Sequence, residues 1–156
     1  MNIGFIGLGI MGRPMAGHLL AAGHRMAVVQ HRSALPAELV EGGALICTSA
    51  KDVAAASDVI ITMVPDTPDV ERVLFGASGV AEGLSAGKLV IDMSSIDPIA
   101  TRTFASHIAE LGCDYVDAPV SGGEVGARNA ALTIMCGGTV EAFARALPLF
   151  EAMGKN

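Results

Sequence analysis

The chain has 156 residues, of which 51% are hydrophobic and 17% charged, with a net charge of −6. That is enough for one domain with a core, burying about 70% of the surface its unfolded chain would expose. An acidic chain without a basic run is ill suited to nucleic acid or an anionic membrane surface. Its three cysteines, Cys47, Cys113 and Cys136, lack zinc spacing and fit reduced, buried thiols, with no metal site expected.

With aromatic residues at 4% and no Trp, the core must be aliphatic. No basic leader precedes the first apolar run. Runs such as "VIITMV" are too short to cross a bilayer, so a cytoplasmic protein is expected.

Short apolar runs alternate with longer amphipathic stretches along the chain. Residues 3–6 read as a strand, 7–12 as a glycine turn, and 14–22 as a helix stopped by Gly23. Pro14 is tolerated there, because first-turn amides lack helical partners anyway. Strands follow at 25–29 and 44–47, with a short helix at 36–42 between them and a helical turn at 51–56. The run 59–64 is apolar at consecutive positions and reads as a strand covered on both faces. Asp66 or Thr67 caps the next helix, Pro68 opens it and Gly76 ends it. Then come a strand at 89–93, a helix at 98–111, a strand at 115–120, a glycine-rich loop "SGGEVGARNA", a strand at 132–136 and a helix at 140–153.

This alternation predicts an α/β fold: a doubly wound, Rossmann-type, mostly parallel sheet with helices on both faces. The expected strand order is 3-2-1-4-5-6, with the seventh strand added at the edge. All 156 residues fall into this one domain.

"GLGIMG" supplies G-x-G-x-x-G between a strand and a helix, the context in which that spacing binds a dinucleotide. Gly7 permits the tight turn, Gly9 leaves room for the pyrophosphate, and Gly12 allows close helix–strand packing. With Ile10 and Met11 these residues form the expected cradle, where the helix N-terminus offers amides to the anion. At the end of the second strand stand Gln30, His31 and Arg32, where NAD sites usually carry a carboxylate. Such a carboxylate would repel a 2′-phosphate by about 4 kcal/mol per unit charge at ~4 Å. Its absence, with Arg32 able to pair with the phosphate, favours NADP(H) over NAD(H). Otherwise Arg32 stacks on the adenine or faces solvent.

Ligands of such sheets sit outside the carboxyl ends of the strands. Val64 and Pro65 are expected along the nicotinamide ribose. Ser94 and Ser95 lie near the nicotinamide end, either as contacts or, with Asp97, as caps ahead of Pro98. Ser121, Gly122 and Gly123 are either a nest for a carboxylate or a flexible turn into the next strand. Reducing a carbonyl needs a nearby proton donor. No lysine stands in these loops, and Asp66, Asp92, Asp97 and Asp117 are expected ionised and so poor acids.

"GFIGLGIMGRPMAGHL", "ITMVPDTPDVERVLFG", "VIDMSSIDP", "DAPVSGGEVGAR" and "PLFEAMGKN" together resemble the 3-hydroxyisobutyrate dehydrogenase family of β-hydroxyacid dehydrogenases. The motifs lie nearest to members that reduce tartronate semialdehyde to D-glycerate. The resemblance implies that Met11, Gly12, Pro65 and a serine of "MSS" touch the cofactor. It also implies that Ser121, Gly122 and Gly123 hold the substrate carboxylate. Family members carry a second, all-helical domain that dimerises and supplies a catalytic lysine and a nearby asparagine. The expectation is therefore a fragment whose catalytic lysine lies beyond Asn156 and whose homo-oligomer forms through that further domain. His31 stands where many relatives carry Asp, which loosens a strict NAD preference. The open alternatives are 3-hydroxyisobutyrate or another short hydroxy acid as substrate, an imine, which the "SGG" carboxylate nest disfavours, or a non-catalytic dinucleotide-binding module.

Overall fold

The computed structural model describes residues 1–31 and 34–156. The chain runs β1 (Asn2–Ile6), α1 (Gly12–Ala21), β2 (Arg25–Val29), α2 (Ala37–Glu41), β3 (Leu45–Cys47), α3 (Ala50–Ala55) and β4 (Val59–Thr62). It continues through α4 (Thr67–Phe75), α5 (Val80–Gly83), β5 (Leu89–Asp92), α6 (Pro98–Glu110) and β6 (Asp114–Asp117). The last elements are β7 (Val120–Ser121), α7 (Gly123–Arg128), β8 (Thr133–Ile134) and α8 (Val140–Met153).

Six strands form one parallel sheet in the order β3-β2-β1-β4-β5-β6, as expected. Side chains alternate across it. Val59, Ile61, Leu89 and Ile91 pack with Met15, Leu19, Leu39, Ala127 and Leu149, so α1, α2, α7 and α8 cover one face. Ile60 and Val90 pack with Val53, Val70, Leu74, Phe104 and Ile108, so α3, α4, α5 and α6 cover the other. Every residue of β4 and β5 is buried, which explains their unbroken apolar runs.

The central strands stop level with one another. Ile6 is paired with Thr62, Thr62 with Asp92, and Asp92 with Asp117. One further backbone bond follows each, from Met63 N to Ile6 O, Met93 N to Thr62 O and Ala118 N to Asp92 O. The loops on this edge therefore leave from a fixed base.

Caps set the helices that follow. Asp66 caps α4 in a reciprocal box with Asp69, and Asp97 accepts from Ile99 N at the start of α6. Thus Asp66, rather than Thr67, is the cap of α4.

Three expectations are corrected. The seventh strand does not extend the main sheet. Thr133–Ile134 pairs antiparallel to β7 in a separate two-stranded ribbon, with single bridges from Leu132 to Gly154 and from Gly137 to Asp117 at the end of β6. The sixth strand ends at Asp117 rather than at residue 120, because Pro119 has no amide for the ladder. The glycine-rich stretch contains α7, held by buried Gly126 and Ala127. Two smaller differences are that α5 was not anticipated and that α1 begins at Gly12.

Candidate dinucleotide site

The order of strands reverses between β1 and β4, so their carboxyl ends flank the crevice where such sheets bind ligands. On the β1 side, Gly7 has φ +105°, and a Cβ there would lie 2.0 Å from Met63 O. A Cβ on Gly12 would lie 1.7 Å from Gly7 O. These two glycines exist so that the loop can press against β4 and α1 against the loop. Gly9 differs: it is exposed, and a Cβ there would meet nothing within 4 Å. The amides of residues 8–11 donate to no acceptor among the described residues. Open space beside unpaired amides, at the start of the ten-residue α1, fits an anionic pyrophosphate. Ile10 is exposed, Met11 half-buried and Gly12 buried. Arg13 is exposed, and its Nε and Nη2 donate to Glu38 at 2.6 and 2.9 Å.

At the end of β2, Gln30 and His31 are exposed. No carboxylate stands at either position, as the sequence indicates. Arg32 lies outside the described residues.

Beyond β4, Val64 is half-buried and Pro65 exposed; beyond β5, Ser95 is exposed. All three follow the carboxyl ends of the two central strands. Ser94 is fully buried, and its Oγ accepts from Val64 N at 2.9 Å. Its hydroxyl serves the fold, which corrects the reading of it as a contact or a cap. Ser121, Gly122 and Gly123 are exposed at the far edge, with Gly122 at φ +132° and Gly123 at φ +61°. The turn they make leads into α7, which packs against α1, so the edge loop folds back toward the dinucleotide cradle.

A polar group whose burial the sequence does not reveal lies beneath this rim. Asp92 is fully buried; its Oδ1 accepts from Thr62 Oγ1 at 2.9 Å and Ser94 N at 3.1 Å, and its Oδ2 from Tyr115 at 3.4 Å. Burial raises its carboxyl above the ordinary carboxylate value, against the downward pull of Ser94, Thr62 and Tyr115. Asp117 is also raised, by its own burial and then by the Asp92 charge. Both carboxyls thus hold their protons to higher pH than an ordinary carboxyl does, a direction the sequence does not indicate. A hint stands in β5, where "LVID" ends a wholly apolar strand with a carboxylate. The thiols need correction too: Cys113 is buried, Cys47 half-buried and Cys136 exposed.

Among the described residues, no three His, Cys, Asp or Glu side chains gather as a metal site would require, and no helix is long and apolar enough to cross a membrane. An open depression of about 460 Å³ lies elsewhere, at the amino ends of β1 and β2, beside His24, Arg25 and Gly42.

The family described as the NAD binding domain of 6-phosphogluconate dehydrogenase matches residues 2–156. The chain belongs to that family. The 2-hydroxy-3-oxopropionate reductase of Escherichia coli is 53% identical over 156 residues, all of this chain and 53% of the relative. A crystal structure of a 3-hydroxyisobutyrate dehydrogenase from Salmonella typhimurium superposes with TM-score 0.92 at 32% identity, over 100% of this chain and 54% of that one. Psf3, solved in complex with NADP+ and 2-OPP, gives TM-score 0.87 at 29% identity, over 97% of this chain and 54% of that one. The chain is thus a dinucleotide-binding domain of the 3-hydroxyisobutyrate dehydrogenase type, as its motifs indicate. It spans about half the length of the relatives it matches.

Proposed function

We propose that this chain is the cofactor domain of a reductase that converts tartronate semialdehyde (2-hydroxy-3-oxopropionate) to D-glycerate. The observation that carries the reading is the open, unpaired amide cradle at Gly9, set in a chain that is 53% identical throughout to a 2-hydroxy-3-oxopropionate reductase. When bound, the dinucleotide supplies the hydride. The chain's own residues do the holding. The amides of residues 8–11 receive the pyrophosphate, and Val64, Pro65 and Ser95 border the nicotinamide end. Ser121, Gly122 and Gly123 receive the substrate carboxylate.

NADP(H) is the proposed cofactor. The second strand ends in Gln30 and His31 rather than a carboxylate, which leaves a 2′-phosphate unopposed, and Arg32 supplies a cation for it. The proton for the new hydroxyl comes from a lysine outside these residues, on a helical domain through which two copies associate, in the cytoplasm. A second reading, 3-hydroxyisobutyrate as the substrate, is favoured by the likeness to the Salmonella structure.

Calorimetric titration with NADPH and NADH tests the cofactor half; NADH bound tenfold or more tighter would overturn the NADP(H) assignment. Oxidation of NADPH by tartronate semialdehyde, compared with reduction of NADP+ by 3-hydroxyisobutyrate, tests the substrate half in the whole enzyme. A preference for the 3-hydroxyisobutyrate pair would select the second reading.

A further inference from the structure

The two loops that border the nicotinamide end are tied together below their exposed surface. Val64 N donates to Ser94 Oγ at 2.9 Å, and Asp97 N donates to Thr67 Oγ1 at 3.1 Å. Each bond runs from one loop to the other. Between the ties stand Pro65 and Ser95, both exposed. The first tie is itself anchored. Ser94 N donates to Asp92 Oδ1, which also accepts from Thr62 Oγ1, while Tyr115 holds the other oxygen. Asp92 therefore links the ends of β4 and β5, and Tyr115 within β6, to the loop that carries Ser95.

This network is an expensive way to fill the end of an otherwise apolar strand. A buried carboxylate must be compensated by hydrogen bonds, and a well-packed apolar residue would serve a merely structural role as well. The network provides direction instead. Its acceptors fix the amide of Val64 and the turn through Ser94, the two points from which the exposed rim residues depart.

We infer that Ser94, anchored by Asp92, is a positioning residue for the nicotinamide half of the bound dinucleotide. It holds the Val64 and Pro65 wall at a set distance from Ser95, so that this half of the site is formed before the cofactor arrives. Preformed walls spare the ordering entropy that binding would otherwise cost. Ser94 touches no ligand, and its effect travels through Val64 N. The inference rests on the dinucleotide reading above.

The test is calorimetry on the 156-residue chain with three probes: NADPH, NADH and ADP. ADP carries the adenosine and pyrophosphate but neither the second ribose nor the nicotinamide. Ser94→Ala is expected to weaken the better-bound dinucleotide about tenfold while changing ADP by less than about twofold, the loss of one hydrogen bond felt at one end of the ligand. Asp92→Asn, which keeps an acceptor for Ser94 N and Thr62 Oγ1, is expected to retain dinucleotide affinity within about threefold. Thr67→Val removes the second tie with little change of shape, and should show the same selective loss as Ser94→Ala. It decides the matter if the first variant does not fold. Equal losses of ADP and dinucleotide, or no loss of either, would overturn this inference alone. A parent chain that binds none of the three would overturn the dinucleotide reading, and this inference with it.

Discussion

The imidazole of His18, on α1, donates its Nε2 hydrogen to the carbonyl of Ala127, on α7, across 2.8 Å. A carbonyl only accepts, so Nε2 must carry the hydrogen. The bond joins the helix that begins at the glycine cradle to the helix that begins at Gly123, directly after Ser121 and Gly122. His18→Leu should remove the His18 bond to the Ala127 carbonyl, which keeps the Ala130 amide as a donor at 3.4 Å, and cost about 1 kcal/mol, read as a lower urea midpoint. In the whole enzyme the same change should raise KM for the semialdehyde while leaving NADPH affinity nearly unchanged. An unaltered midpoint would show that α7 is held without this bond.

The three glycines of the cradle should separate by experiment into two kinds. Gly12→Ala forces a Cβ onto Gly7 O, and Gly7→Ala adds both a clash with Met63 O and an unfavourable φ. Each should cost upwards of about 3 kcal/mol, since backbone carbonyls cannot move aside as a side-chain tip can. Gly9→Ala meets only open space. It should leave the melting temperature within a degree or two while weakening NADPH by at least about tenfold, as its methyl enters the space meant for the pyrophosphate. A Gly9→Ala chain that binds NADPH normally would place the phosphates elsewhere.

Those glycines also show what could be read in the sequence. Gly7, Gly9 and Gly12 stood between an apolar run and a helix, a local pattern with one physical solution, and the strand order followed from the regular alternation. Residues 121–130 could not be read that way. A helix of six residues is too short to be stable by propensity. α7 forms because Gly126 and Ala127 pack against Leu132 and because His18, 109 positions earlier, holds its end. The run 132–136 reads as an added edge strand, yet Pro119 takes the chain out of the sheet's ladder, so a two-stranded ribbon forms instead. Ser94 and Ser95 are identical in type and adjacent in sequence. Only the fold shows that the first is buried and bonded to Val64 N while the second is exposed.

Asp92 and Asp117 give stability a pH dependence whose sign is opposite to that of a salt-bridged carboxylate. Both carboxyls are raised in the folded state, by burial first. Folded chains therefore hold more protons than unfolded ones between the ordinary carboxylate value and the raised values. Stability falls as pH rises through that window, and the penalty is complete above the raised values. Asp117→Asn removes one charge and eases the ionisation of Asp92. The variant should have a higher urea midpoint than the parent at about pH 7, with the gain vanishing below about pH 4. A gain that is the same at both pH values would show that the carboxyl charge is not its source.

The cofactor assignment turns on one side chain. Arg32→Ala should weaken NADPH about tenfold or more and change NADH by no more than about threefold, as expected for the loss of a cation that pairs with a 2′-phosphate. Equal losses for the two cofactors would return Arg32 to adenine stacking.

The level finish of β1, β4, β5 and β6, at Ile6, Thr62, Asp92 and Asp117, gives every ligand-facing loop the same starting height. One residue inserted within any of these strands would lift a single sector of the floor by about 3.3 Å and turn its side chains to the opposite face. Residues added after Thr62, Asp92 or Asp117 alter only the wall that rises from that point. Each wall can thus change in length or chemistry by itself, with the floor of the crevice left where it is.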